Sequence, residues 1–307
     1  MPPLEISFAG YQKPESIHTR AGAYFGEVLN AELGDEVGFT LIPSVTELGH
    51  RQGDMIRLVG AGEFDLCYIA ASFFTTNFVP AFGVIDLPFV FDGQHHGYRV
   101  MDGPLGQTLA AAIDDRSPYK WLGYWCNGMR HLSNSVRPIR APADCEGIRI
   151  RTLTSPLHGE TFRALGMMPE IADIAALLER SAAGTIDAQD NPLTNIFNFG
   201  IHELQPHITM TGHFWTPAVI VANKKAFQNW PGRVQAAIRS AAEASTRYQR
   251  GLALAEDVRI MALLEPPVEV VTLTPAERAA FAAATAPVVE AHRAEFGEAL
   301  EQIAAAA

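Results

Sequence analysis

Strand-like and helix-like segments alternate along this chain from end to end, and that alternation excludes most folds before any single residue is weighed. Leu4-Glu5-Ile6-Ser7-Phe8-Ala9 reads as a strand. The spacing of Ala21, Tyr24, Phe25, Val28 and Leu29 then predicts a helix over about Ser16 to Leu33. A second strand at Val37 to Ile42, a helix at about Gln52 to Gly60 and a third strand at Phe64 to Ala70 complete a βαβαβ opening, which calls for a parallel sheet. Further strands are expected at Trp121 to Trp125, Gly147 to Thr152, Ile186 to Gln189, His207 to Met210, Ala218 to Ala222 and Val268 to Leu273. Helices are expected over Pro156 to Leu165, Gly232 to Leu263 and Pro275 to Ile303. The class is α/β. No internal repeat and no Gly/Ser linker interrupts it, so if the chain forms two lobes it crosses between them more than once, through short ordered connections.

Composition narrows the partners. With 48% apolar and 19% charged residues the chain has the mixture of a globular protein, with disorder expected only in the tail Ala304 to Ala307. Its formal net charge of −11 argues against a nucleic-acid binder, and an anionic ligand would need a local cluster of cations working against the overall field. No stretch approaches the ~20 apolar residues of a membrane span. Met1 to Glu5 run straight into the first strand without a basic or apolar leader. A cytosolic protein and a secreted protein whose signal has been removed both fit. Cys67, Cys126 and Cys145 form no metal-binding spacing and read as core filler, with a Cys126–Cys145 bridge as the minor option.

The chain contains no GxSxG, GxxxxGK[ST], HExxH or GxGxxG. His95-His96, flanked by Gly93 and Gly97, reads as a solvated loop pair rather than a metal site. What remains is a set of cations and one amide. Gly128-Met129-Arg130 follows the strand at Trp121, Arg151 ends the strand at Gly147, and Asn191 follows the strand at Ile186. All three sit at strand ends, where open α/β sheets take their ligands. An arginine fork gives a carboxylate two charge-assisted hydrogen bonds, and an asparagine amide donates a third. On pattern alone, Arg130 and Arg151 serve equally well as salt-bridge residues.

Several segments carry a resemblance. Gly147-Ile148-Arg149-Ile150-Arg151 and Asp187-Ala188-Gln189-Asp190-Asn191-Pro192-Leu193 look like two signature segments of the solute-binding proteins of tripartite ATP-independent periplasmic (TRAP) transporters. Glu47-Leu48-Gly49, Gly60 to Asp65, Asp86 to Phe91, Pro138 to Asp144, Thr211 to Trp215 and Asn223-Lys224 resemble further segments of that family in the same order. The resemblance implies a two-lobed periplasmic-binding-protein-like (type II) clamp with mixed sheets, hinge strands and a long C-terminal helix bracing both lobes. It places 1–125 plus 213–252 in one lobe and 126–212 plus 253–307 in the other.

The resemblance further implies a periplasmic protein, its signal peptide removed, that binds a small organic carboxylate and delivers it to the membrane subunits of the transporter; no cofactor and no metal ligand are read from the sequence, and nothing in its pattern asks for more than a monomer. Arg151 would clamp the carboxylate, with Asn191 assisting. Arg130 would supply a second cation, Trp215 an aromatic wall and His18 a contact from the first loop. Phe74 stands among the aromatics around the strand ends, with Phe73, Tyr124, Trp125 and Trp215. Such a lining suits a hydroxy-, keto- or aromatic monocarboxylate first, a C4-dicarboxylate second and a sugar acid third. The chain departs from the family at Ala176 to Gly184, where a Glu and a Tyr give way to Ala176 and Leu178. The competing reading is an α/β enzyme acting on a carboxylate anchored by Arg151, with His18 or His213 as general base. A cytosolic sensor using the same clamp is a third.

Overall fold

The computed structural model describes residues 2–307. Among the described residues there are nine strands: β1 (Leu4–Ala9), β2 (Val37–Ile42), β3 (Leu66–Ala70), β4 (Tyr119–Asn134), β5 (Arg149–Thr152), β6 (Met168–Ile171), β7 (Ala188–Pro192), β8 (His207–Asn223) and β9 (Glu269–Thr272). The chain forms two compact units, one of Met1–Ala71, Thr108–Cys126 and Pro217–Glu256, the other of Ser72–Gln107, Asn127–Thr216 and Asp257–Ala307.

In the first unit β1 lies between β2 and β3, parallel to both, as the βαβαβ pattern requires. The second half of β8 runs antiparallel to β3, from Leu66 opposite Ala222 to Ala70 opposite Ala218. The helix Ile17–Leu33 starts at Ser16, whose hydroxyl accepts from Thr19 N at 3.1 Å, an N-cap that satisfies one orphan amide. It comes close enough to Phe39 that a β-carbon on Gly26 would collide with the ring. Phe8, Phe25, Tyr68 and Trp125 fill the core between helix and sheet. Asp65 stitches β3 to β1, accepting from both the amide and the hydroxyl of Ser7 at 2.8 Å.

In the second unit the later half of β4 runs antiparallel to β7, β7 runs parallel to β5, and β5 runs parallel to β6. The first half of β8 runs parallel to β9. Register puts Leu132, Ile150 and Ala188 on one face of this sheet, where they meet Phe162, Phe214 and Phe281 in an apolar core. A second core gathers Leu177, Ile186, Leu193, Ile196 and Ile208.

The structure corrects several expectations. β4 is 16 residues long and β8 is 17, so Arg130 lies inside a strand, and the strands expected at His207 and Ala218 are one. Gly128 (φ 121°) and Gly212 (φ 56°) make these strands look interrupted: each takes a left-handed conformation that bends the strand without ending it. β7 extends through Asn191 to Pro192. The final helix divides at His292 into Pro275–Ala291 and Arg293–Ala305, and it carries the tail that was expected to be disordered. His95 and His96 sit on a helix, Gln94–Asp102, not in a loop. All three cysteines are buried, and none is joined in a disulfide.

The expected lobe boundaries differ most at 72–107, assigned by sequence order to the first lobe. These residues pack within the second unit. Ser72 Oγ donates to Asp86 at 2.7 Å, Phe89 N donates to His213 O at 2.7 Å, and His96 Nε2 bonds Ile303 O at 2.8 Å. Residues 213–216 belong with them. Chain order does not reveal the Phe89–His213 and His96–Ile303 contacts, which join segments over a hundred positions apart.

Candidate functional site

Strands β4, β7 and β5 of the second unit bring the signature residues together. Arg151 pairs with Gln189 across the β5–β7 register, and His131 pairs with Asn191 across β4–β7. Alternation therefore sets Arg151, Gln189, Asn191, His131 and Ser133 on one face and Arg130, Asp190 and Leu132 on the other.

Arg151 is only 3% exposed. Its Nε donates to Ala172 O at 2.6 Å, and among the described residues no carboxylate lies within 4.0 Å of its guanidinium. The nearby acids are engaged elsewhere. Asp187 takes a fork from Arg149, Nε to Oδ2 at 2.7 Å and Nη2 to Oδ1 at 2.5 Å. Glu170, the register partner of Arg151 on β6, pairs with Arg180 at 2.6 Å. Asp173 caps the helix Ile174–Ala182, accepting from Ala176 N at 2.8 Å. Burial pushes the Arg151 guanidinium down to about 10; the charge of Asp190 raises it and that of Arg130 lowers it further. It stays protonated at neutral pH. The result is a buried cation whose counter-charge the protein does not supply at contact distance.

Arg130 differs from the expected second cation. It is buried against Asp190, Nε to Oδ2 at 2.5 Å, with Nη2 donating to the Asp190 carbonyl as well. Burial by itself would raise the Asp190 carboxyl, but the Arg130 charge and the hydrogen bonds from His213 and Arg130 hold it well below the usual carboxylate range. His213 contributes through Nε2, 3.4 Å from the carboxylate, while its Nδ1 meets Thr211 Oγ1 at 2.6 Å. With both ring nitrogens engaged, His213 is not placed as a free general base.

Asn191 donates through Nδ2 to Gln189 Oε1 and accepts from Asn195 Nδ2 at 3.4 Å. His131 accepts from Gly212 N at 3.1 Å; burial, and then the neighbouring charges of His213 and Arg130, push it down to about 3.

Trp215 is fully buried, packed on Phe91 and Tyr98 with its indole against Gly97, where a β-carbon would collide. Phe74 is fully buried beside Phe78 and Phe82. His18 belongs to the first unit, stacked on Tyr68 at 5.0 Å with Nε2 bonded to Cys126 O at 3.1 Å, and burial takes it down to about 4. Among the described residues no cluster of three or more His, Cys, Asp or Glu is placed to hold a metal.

Sequence reading missed the amides behind Asn191. Gln189 stands two positions before it in a strand, and the period of two was the available sign that both share a face. The buried pair of Asp86 and His158, 3.2 Å apart, was not visible at all, because its partners come from segments 72 positions apart.

Known proteins match this chain over most of its length. Residues 8–295 match the model of bacterial extracellular solute-binding protein family 7. A solute-binding protein of Verminephrobacter eiseniae is 34% identical over 231 residues, covering 75% of this chain and 68% of the relative. The 2,3-diketo-L-gulonate-binding periplasmic protein of Escherichia coli is 31% identical over 253 residues, 82% of this chain and 76% of the relative. The crystal structure of a sugar-acid-binding protein from Advenella mimigardefordensis, in complex with galactonate, superposes with a TM-score of 0.93 at 26% identity over 100% of both chains.

Proposed function

Because this chain belongs to family 7 of the bacterial extracellular solute-binding proteins, the periplasmic binding components of TRAP transporters, which bind organic acids and do not transform them, we propose that it captures a hydroxy- or keto-substituted monocarboxylate, anchored at Arg151, for delivery to the membrane subunits of such a transporter. The observation that carries the proposal is the buried charge of Arg151, with no carboxylate at contact distance among the described residues. A guanidinium out of water without a counter-ion is costly, and a ligand carboxylate relieves that cost with two parallel hydrogen bonds. Asn191 adds a neutral donor on the same face.

Charge matching supports one carboxylate over two. Arg130 is already neutralised by Asp190, so a second ligand carboxylate would find no spare cation there. A C4-dicarboxylate is therefore ranked below a monocarboxylate. The named ligands of two relatives, galactonate and 2,3-diketo-L-gulonate, are hydroxylated or keto monocarboxylates, which moves open-chain sugar acids ahead of the dicarboxylates. Trp215 and Phe74, packed inside the second unit, support the aromatic-lining reading only weakly, and a purely aromatic acid drops in rank.

A thermal-shift screen tests this reading. Galactonate, lactate, pyruvate, succinate and glucuronate are compared, and a ligand of the native state at a hundredfold excess over Kd adds about 2.7 kcal/mol of stability. A monocarboxylate that raises Tm by several degrees while succinate does not is the expected result. A larger shift with succinate would overturn the single-charge argument, and no shift with any acid would overturn the anchor.

A further inference from the structure

Behind Asn191 the second unit contains a continuous run of side-chain hydrogen bonds. Asn191 Nδ2 donates to Gln189 Oε1, Gln189 Nε2 to Ser133 Oγ at 2.7 Å, Ser133 Oγ to Gln205 Oε1 at 2.8 Å, and Gln205 Nε2 to Ser181 Oγ at 3.0 Å. Ser133, Gln189 and Gln205 are fully buried. The run ends on the helix Ile174–Ala182.

A primary amide has a donor end and an acceptor end, so a chain of buried amides has a direction. Turning one member alone would set donor against donor on one side and acceptor against acceptor on the other, and both clashes would be shut away from water. The members therefore keep or reverse their orientation together. In the direction observed, the Asn191 oxygen accepts from Asn195, one N–H is taken by Gln189, and one N–H is left over on the face that carries Arg151.

We propose that Ser133, Gln189 and Gln205 are positioning residues that hold Asn191 with its remaining N–H toward the bound carboxylate, so that the protein selects an acid against its neutral amide. The inference rests on the Arg151 anchor proposed above. A carboxylate presents only acceptors to Arg151 and Asn191. A carboxamide must turn an NH2 group toward one of these donors, and the locked Asn191 cannot rotate to receive it. Breaking the run at Ser133 frees Gln189 and then Asn191 to turn, which weakens the acid and spares the amide.

The test measures affinities of galactonate, lactate and pyruvate and of their primary amides by calorimetry, using the pair whose acid binds wild type most tightly. Ser133→Ala is expected to lower the acid-to-amide affinity ratio about tenfold, near the worth of one well-placed hydrogen bond. Ser133→Thr, which keeps the hydroxyl, should restore it. Ser181→Ala, at the half-buried end of the run, should shift the ratio in the same direction by less, and it keeps the test available if Ser133→Ala does not fold. Loss of affinity by the same factor for acid and amide, with the ratio unchanged while Arg151→Ala still abolishes acid binding, would overturn the positioning role and leave the anchor standing. If Arg151→Ala leaves acid binding intact, or no acid binds wild type, the anchor falls and this inference falls with it.

Discussion

The two faces of the β4–β7–β5 strands each bury an arginine, and they treat it in opposite ways. On one face Arg130 meets Asp190 at 2.5 Å, and His213 stands 3.4 Å from the same carboxylate. On the other face Arg151 has a backbone carbonyl and neutral amides nearby but no carboxylate within reach. The closed pair is structural. The open cation is stable only because a protonated guanidinium tolerates burial better than an ammonium would, and it remains available to an anion from outside the chain. Acids near Arg151 are not scarce, since Asp187, Glu170 and Asp173 are all close in sequence or register. Each is held by another partner.

That contrast can be tested by breaking the closed side first. Asp190→Ala leaves Arg130 buried without a counter-charge, so unfolding free energy should fall by about 3–5 kcal/mol, read from denaturant or thermal melts. An effect under about 1 kcal/mol would mean that Arg130 is solvated and that the two faces are not different.

The next effect is a pH dependence. His131 lies on the Arg151 face and is depressed to about 3 from an ordinary 6.5. The folded state therefore binds fewer protons than the unfolded chain between those values. Stability rises with pH through this window, is fully present above about 6.5, and is lost on acidification. At pH 5 the loss from His131 is about 2 kcal/mol relative to pH 7. His18, depressed to about 4, adds a similar loss at that pH. Asp190 is shifted the other way for an acid, below 3.8, so its stabilising effect persists until the pH falls under the ordinary carboxylate value. The slope between pH 5 and 6.5 thus belongs to the buried histidines, His18 and His213 among them, so His131→Gln should reduce it without abolishing it; an unchanged slope would place His131 in contact with water.

The arginines of the fold were legible in the sequence to different depths. Arg151 and Asn191 stood out because alternation in short strands and the signature segments coincide on them. The partner of Arg130 did not, because Asp190 reaches it only through an antiparallel register that no local pattern encodes. Gly128 and Gly212 hid the length of β4 and β8 by looking like strand ends, which displaced Arg130 from a strand interior to a strand end, while Pro192 made β7 look shorter than it is and left Asn191 just outside it. Trp215 and Phe74 carry large apolar surfaces that satisfy a core or a pocket equally well, and sequence has no means of separating the two.

Two smaller effects sharpen the comparison. Arg151→Met replaces the open cation with an apolar side chain of similar reach, and the unliganded protein should become more stable by about 1 kcal/mol or stay unchanged. A marked loss of stability would show that the guanidinium is holding the fold. Arg149→Ala removes the half-exposed fork that Arg149, two residues before Arg151 on β5, makes onto Asp187. Its effect on stability should be small beside that of Asp190→Ala, and acid affinity should not change, which separates an ordinary surface pair from the anchor.

The most direct measurement is calorimetric titration of Arg151→Ala with the acid that gives the largest thermal shift in wild type. Losing one partner of a buried, hydrogen-bonded charge pair costs about 2–5 kcal/mol of affinity, a weakening of at least about thirtyfold. That loss, with an intact fold by circular dichroism, is the predicted result. An unchanged Kd would contradict the assignment of Arg151 as the carboxylate anchor.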